Sequence, residues 1–452
     1  MRLPRHAILA ASAFSALAAC EKSTRPVADN PPSTASSTPA SSTSTASSGP
    51  AASDGKPSAT EVAMPAREEL TPVVTANNAF AFDFWPSVGK APGNAAFSPT
   101  SISVAFAMTW PGAKGETSAQ MKKVLRFTAE PPANTATWGA LSRALASPSR
   151  TLKLRIANRL FGEKTYEFER SFLDSTERAF DAPMERLDFK NAAEAGRVHI
   201  NGWVSGKTED RIKDLLPSNA LDDKTRIVLV NALYFLADWQ DAFDKERTKD
   251  EDFFAGGSTK KQAPMMHATR DIALARADGM KMVELPYKRG EAALVVVVPD
   301  DKAGLPALER SMTAAKFEAW RSSARLTPVA LSLPRFEVTT PSLDLGKELV
   351  ARGMVDAFDR DKADFTGIAN PPLKQDRLFI SKVFHKAFVR VDEKGTEAAA
   401  ATAIVMAKGG GGAPPPPVEV KVDHPFLYFI VDKPSGVILF MGRIDDPTSK
   451  GG

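Results

Sequence analysis

Hydrophobic and polar positions alternate with two different periods along this chain, and the segments they mark are intermixed. Phe80, Phe82, Phe84 and Trp85 form one apolar face of an expected helix in a domain that begins near Glu68. Ser98 followed by Pro99 is a helix start, with Ser as N-cap and Pro at the first helical position. Ile102, Ala105, Phe106 and Thr109 continue at helical spacing, and Trp110-Pro111-Gly112 ends the run. Thr117 and Gln120 form an expected capping box for the next helix, with Met121, Val124 and Leu125 facing inward. Leu152 to Phe161 alternates as a strand. A helix around Phe172 follows, then a strand ending near Phe189. Ile200, Trp203 and Val204 mark a helix that stops before Thr208. Arg226 to Leu236 is nearly continuous in apolar residues and predicts a strand buried on both faces, interrupted only by Asn231. An unpaired buried amide costs about 1–3 kcal/mol, so Asn231 requires partners.

Leu294 to Val298 is a second fully apolar strand, closed by Pro299-Asp300-Asp301. Val329 to Phe336 predicts one strand. Phe379 to Val391 predicts another, with Val383, His385, Ala387, Val389 and Val391 on one face. His385 thereby falls on an apolar face and is expected to be a core histidine with both nitrogens satisfied. Val418 to Val422 is a short strand, and Leu427–Val431 with Val437–Met441 form a hairpin across Asp432 to Gly436. Helices and strands mix without regular βαβ alternation, so the expected class is α+β with several sheets.

Composition adds a leader and a tether. Of 452 residues, 43% are hydrophobic and 25% charged, with a net charge of +4, ordinary for a globular protein. Basic residues are scattered, which excludes nucleic acid as an expected partner and offers no concentrated surface for a glycosaminoglycan-type activator. Arg2 and Arg5 precede a short apolar run from Ala7 to Ala19, too short for a standard membrane span. Leu17-Ala18-Ala19-Cys20 resembles a bacterial lipobox, in which Cys20 becomes the acylated N-terminus. Cys20 is the single cysteine, so no intramolecular disulfide can form. Residues 1–20 are therefore expected to be a lipoprotein signal, and Cys20 an anchor in the cell envelope. Glu21 in place of aspartate favours the outer membrane. Residues 21–67, rich in Ser, Thr, Pro and Ala, are expected to be a disordered tether spanning on the order of 40 Å. The folded domain is expected over 68–448.

Catalytic motifs are missing. There is no HExxH, GxSxG or CxxC. His199, His267, His385 and His424 lack metal-ligand spacing. Neither an enzyme nor a cofactor is expected.

A set of motifs in fixed order then resembles one family. The set comprises Asn94-Ala-Ala-Phe-Ser-Pro-Thr-Ser-Ile-Ser103, Gly112 to Thr117, Ile212 to Pro217, Val228-Leu-Val-Asn-Ala-Leu-Tyr-Phe235, Pro264-Met-Met266, Glu284-Leu-Pro-Tyr287, Phe379 to Phe388, Gly395 to Thr402, His424-Pro-Phe426 and Phe440-Met-Gly-Arg443. From about Leu70 to Pro447 the chain resembles a serpin. The resemblance implies three β-sheets, about nine helices and an exposed reactive-centre loop, in a monomer that irreversibly inhibits serine proteases. Trypsin-like or subtilisin-like enzymes are the implied partners, and papain-like cysteine proteases a further class. A non-inhibitory binding protein on the same fold is the alternative. The resemblance assigns Ser98, Ser101, Asn231 and His385 to a polar cluster, the shutter, beneath the main sheet, and Trp239 to the breach where the loop enters it.

Read locally, Glu393 to Pro417 is a capped alanine helix followed by four glycines and four prolines. The resemblance makes its first part a hinge: Glu393, Gly395, Thr396, Glu397, Ala398, Ala399, Ala400, Ala401 and Thr402. Thr396, Ala398, Ala400, Thr402, Ile404 and Met406 would alternate on the face entering the core, and Glu397 would face solvent. Family spacing from Gly395 places the residue before the scissile bond at Gly409. Lys408 would suit a trypsin-like pocket, so Lys408-Gly409 is favoured, with Gly409-Gly410 and cleavage after Met406 as alternatives.

Overall fold

The computed structural model describes residues 62–396 and 416–449. Its helices are α1 (Arg67–Val88), α2 (Pro99–Thr109), α3 (Gly115–Val124), α4 (Pro131–Leu145), α5 (Arg170–Phe180), α6 (Phe189–Lys207), α7 (Leu305–Ser311), α8 (Ala314–Ser323) and α9 (Gly346–Ala351). The strands of the first half are β1 (Ala95–Phe97), β2 (Lys153–Glu163), β3 (Glu185–Leu187), β4 (Ile227–Asp238), β5 (Lys249–Ala255), β6 (Thr259–Ala277), β7 (Met280–Pro286) and β8 (Ala292–Pro299). Those of the second half are β9 (Arg325–Pro334), β10 (Phe336–Thr339), β11 (Leu343–Asp344), β12 (Phe384–His385), β13 (Phe388–Val391), β14 (Gly395–Thr396), β15 (Val418–Lys421), β16 (Phe426–Asp432) and β17 (Ile438–Ile444).

Local chemistry accounts for several of these starts. Ser98 caps α2, its hydroxyl accepting the Ser101 N–H at 3.1 Å. In α1 the expected aromatic face is buried, with Phe80 and Phe84 rings 5.1 Å apart. The capping box expected at Thr117 and Gln120 is not formed. α3 begins two residues earlier, and both side chains are spent on tertiary bonds instead. The Thr117 hydroxyl accepts the Asp364 N–H, and the Gln120 amide oxygen accepts the Asp356 N–H.

Among the described residues there are three sheets, of nine, six and two strands. The six-stranded sheet runs β10-β13-β14-β4-β2-β3. β4 lies in its middle and pairs with β2 over Lys153↔Leu236 to Gly162↔Ile227. Its two faces meet different cores, as its near-continuous apolar run requires. Val230, Ala232 and Tyr234 join a small cluster beneath α6, while Leu233, Phe235 and Ala237 join the large one. The nine-stranded sheet runs β1-β17-β16-β8-β7-β6-β9-β15, with β5 on β6.

Two expected strands are divided. Val329–Phe336 breaks after Pro334: the Arg335 N–H still donates to the Pro264 carbonyl at 2.9 Å, but Pro264 has no N–H to return the bond. β9 stays in the nine-stranded sheet, and β10 crosses to the six-stranded one. Phe379–Val391 is paired only over Phe384–His385 and Phe388–Val391. The alternation is real, for Val383, His385, Ala387, Val389 and Val391 are all buried. What is missing is a partner. β4 runs parallel beside this segment and bridges it once, at Leu233↔Ala387. Period-two burial reports which face is covered and says nothing about whether a neighbouring backbone is in reach.

Candidate functional site: the fork in the six-stranded sheet

Beyond the Leu233↔Ala387 bridge, β4 and β13 part, and β14 lies between them. Thr396 is paired with Ala237 on one side and Val391 on the other, and Gly395 with Asp238. A tight turn makes this possible. Asp392 donates its N–H to the Gly395 carbonyl at 2.9 Å, and its carboxylate accepts the Lys394 N–H at 2.9 Å. Gly395 is required by the close approach, because a Cβ there would collide with the Ala237 carbonyl.

Aromatic and ionic contacts hold the turn in place. Trp239 lies parallel to Tyr287, ring centroids 4.6 Å apart, and its indole N–H donates to the Asp392 carbonyl at 2.8 Å. The Tyr287 hydroxyl meets the Thr396 hydroxyl at 2.5 Å. Burial pushes the Tyr287 phenol well above its usual range, so it stays neutral in this pair. Thr396 itself is 1% exposed. The Glu393 carboxylate, 2% exposed, accepts from the Thr248 hydroxyl at 2.6 Å and from the Arg335 guanidinium. Burial drives its pKa up, but the bonds from Arg335 and Thr248 outweigh that and hold it below the ordinary value.

A polar cluster sits at the bridge. The Ser98 N–H donates to His385 Nε2 at 3.1 Å. The Ser101 hydroxyl donates to Asn231 Oδ1, and Asn231 Nδ2 donates to the Ser101 carbonyl and to Asn158 Oδ1. Asn231 thus finds the partners its burial demands. His385 departs from expectation. Its Nε2 accepts, which leaves the ring proton on Nδ1, and Nδ1 has no partner among the described residues. Burial pushes its pKa down to about 4.

The structure therefore gathers Ser98, Ser101, Asn231 and His385 in one cluster, and Trp239, Glu393, Gly395 and Thr396 around the fork. Glu397, Ala398, Ala399, Ala400, Ala401, Thr402, Lys408, Gly409, Gly410 and Cys20 lie outside the described residues. Residues 397–415 join β14 in the six-stranded sheet to a strand, β15, in the nine-stranded one. Four participants were not singled out from sequence: Asn158, Tyr287, Thr248 and Arg335. Asn158 faces Asn231 in the β2–β4 register, a cross-strand relation visible only after pairing is known. Tyr287 stood inside a recognised motif, but its partner Thr396 is 109 positions away.

Comparison with known proteins agrees with this architecture. The family model described as Serpin (serine protease inhibitor) matches residues 75–447. The leukocyte elastase inhibitor of Equus caballus is 38% identical over 383 residues, 82% of this chain and 99% of that protein. Serpin B6 of Macaca fascicularis is 39% identical over 379 residues, 82% of this chain and 98% of that protein. Human thyroxine-binding globulin superposes with a TM-score of 0.74 at 27% identity, covering 84% of this chain and all of that structure.

Proposed function

The chain belongs to the serpin family, and on that premise we propose that it is a suicide-substrate inhibitor of serine endopeptidases. The protease nucleophile attacks a carbonyl near Lys408-Gly409, the peptide C–N bond breaks, and the departing amine takes a proton. An ester then joins the protease to the N-terminal half of the loop. That half inserts between β4 and β13 by extending β14 as a new central strand. From Thr396 to Met406 it would span on the order of 35 Å. Each added residue pairs with a neighbouring strand, and every second side chain is buried. The protease is carried along and its site distorted before water can cleave the ester. One inhibitor is consumed per protease.

The observation that supports this reading most is the seating of β14. Its two residues already pair with β4 on one edge, and Thr396 pairs with β13 on the other. The parallel strands below are joined by a single bridge, so lengthening β14 would break few ladder bonds. Trypsin, subtilisin and a papain-like protease should be tested in parallel. A band of higher mass that survives SDS, with a large rise in thermal stability after loop cleavage, is the expected result. Clean cleavage without such a band would favour the second reading, a binding protein. That reading draws on thyroxine-binding globulin, whose structure is a complex with thyroxine. The small uncharged run from Ala398 to Thr402 favours inhibition, because such side chains cross an opening sheet with least resistance.

We also propose that Cys20 is lipidated and tethers the inhibitor to the cell envelope. Wild type should partition into detergent and Cys20→Ser into the aqueous phase. Equal partitioning of both would remove the anchor.

A further inference from the structure

Basic residues that the sequence scatters converge beside the fork. A groove of about 720 Å³ is lined by Lys245, Arg335, Arg390 and Lys394, from three separate segments, together with the carboxylates of Glu337, Asp392 and Glu393. Two cations, Lys245 and Lys394, have no ion pair among the described residues. Arg390 is exposed and holds Asp392 only loosely, at 3.5 Å. Arg335 keeps 40% of its side chain in solvent while gripping Glu393 from one side.

The residues beside the two arginines turn inward. β10 and β13 pair Phe336↔Val391 and Glu337↔Arg390. Phe336 and Val391 point into the core. Arg335, in the crossing between β9 and β10, precedes Phe336, and Arg390 precedes Val391 in β13, so each stands next to a core-facing residue and both line the groove. Each guanidinium can take one phosphate through two parallel N–H bonds. Two guanidinium groups lining one groove suit an anion that carries several phosphates better than an isolated one. Lys394 and Lys245 add point charges at the same mouth.

We propose that this groove binds a soluble oligophosphate across Arg335 and Arg390, and that the ligand competes with Glu393 for Arg335. Glu393 lies two residues before Gly395, so weakening its hold on Arg335 loosens the start of β14. On the inhibitory reading, from which this consequence follows, oligophosphate hastens loop insertion.

The test is calorimetric titration of the full chain with sodium tripolyphosphate at low ionic strength, where charge is least screened. Saturable one-to-one binding is expected, with orthophosphate at matched ionic strength much weaker. Arg390→Ala, an exposed change, should weaken binding by about tenfold or more, the worth of one charge-assisted contact. Glu393→Gln should tighten binding several-fold, because the competitor for Arg335 is gone. Unchanged affinity in either variant overturns the proposal. So does Arg390-dependent binding to anionic phospholipid vesicles without binding to free tripolyphosphate, which would assign the groove to a lipid headgroup. None of these readouts uses a protease. If binding behaves as expected but no protease complex ever forms, the inhibitory reading fails and the site stands.

Discussion

Thr396→Arg is expected, on the proposed insertion mechanism, to turn the inhibitor into a substrate: the loop is still cleaved, but the SDS-stable complex is lost. Thr396 is 1% exposed, paired on both edges, with its hydroxyl on Tyr287. A guanidinium there would leave water, while the nearby Glu393 already serves Arg335 and Thr248, and Asp238 serves Lys288. Removing an unpaired ion from water costs several kcal/mol even after relaxation. Insertion would then lose its race against hydrolysis of the ester, and the protease would be released active. Thr396→Val is the matched control. It keeps the volume and leaves the buried Tyr287 hydroxyl without this partner, a cost of about 1–3 kcal/mol, and should still inhibit. Complex formation by Thr396→Arg at the wild-type yield would mean that the hinge does not enter the sheet at this position.

Acid is expected to weaken the fold through His385. Its folded pKa lies at about 4, below the 6.5 of an unfolded histidine, because burial disfavours the imidazolium. Between those values the unfolded chain binds the proton and the folded chain does not. The contribution is therefore complete above pH 6.5 and is lost as pH falls from 6.5 toward 4, to a total of about 3 kcal/mol. The Nδ1–H without a partner and the Ser98 N–H held on Nε2 both favour the neutral ring. Urea midpoints for wild type and His385→Gln at pH 7.5 and 4.5 would measure this. Wild type should lose about 2.5 kcal/mol more than the variant over that span, most of the total. Parallel losses in the two proteins would remove His385 as the titrating group. Protonation acts at the bridge that keeps β4 and β13 together, so acid should also favour opening of the fork. Glu393 adds to this at lower pH. Its depressed pKa makes the Glu393–Arg335 contact stabilising above the ordinary carboxylate range, and that support is lost as pH falls through its folded value.

Much of the site was legible before any coordinates. Ser98 announced itself as a cap, and the buried run around Asn231 demanded hydrogen-bond partners. Ordered motifs supplied the family, which periodicity alone could not. The errors share one cause. Thr117 and Gln120 look like a capping box because the pattern is local, but the Asp364 and Asp356 amides claim both side chains. Phe379–Val391 looks like one strand because its burial alternates, but strand formation needs a second backbone. His385 was expected to satisfy both nitrogens, and one faces no acceptor. Arginines and lysines scattered along the chain gave no sign that Arg335 and Arg390 would line one groove.

By itself the sequence determined what each segment requires: which faces must be buried, where helices start, which polar group needs partners, and that the run from Ala398 to Thr402 is small and uncharged. These are properties of side chains and of two local periods. Tertiary structure alone decided which segments meet. It placed β14 in the fork, Tyr287 on Thr396, Asn158 on Asn231 and Arg335 on Glu393. Each of those contacts joins residues far apart in the chain, across a strand pairing or a packed core. No local pattern records a partner that only the closing of the sheet brings within hydrogen-bond distance.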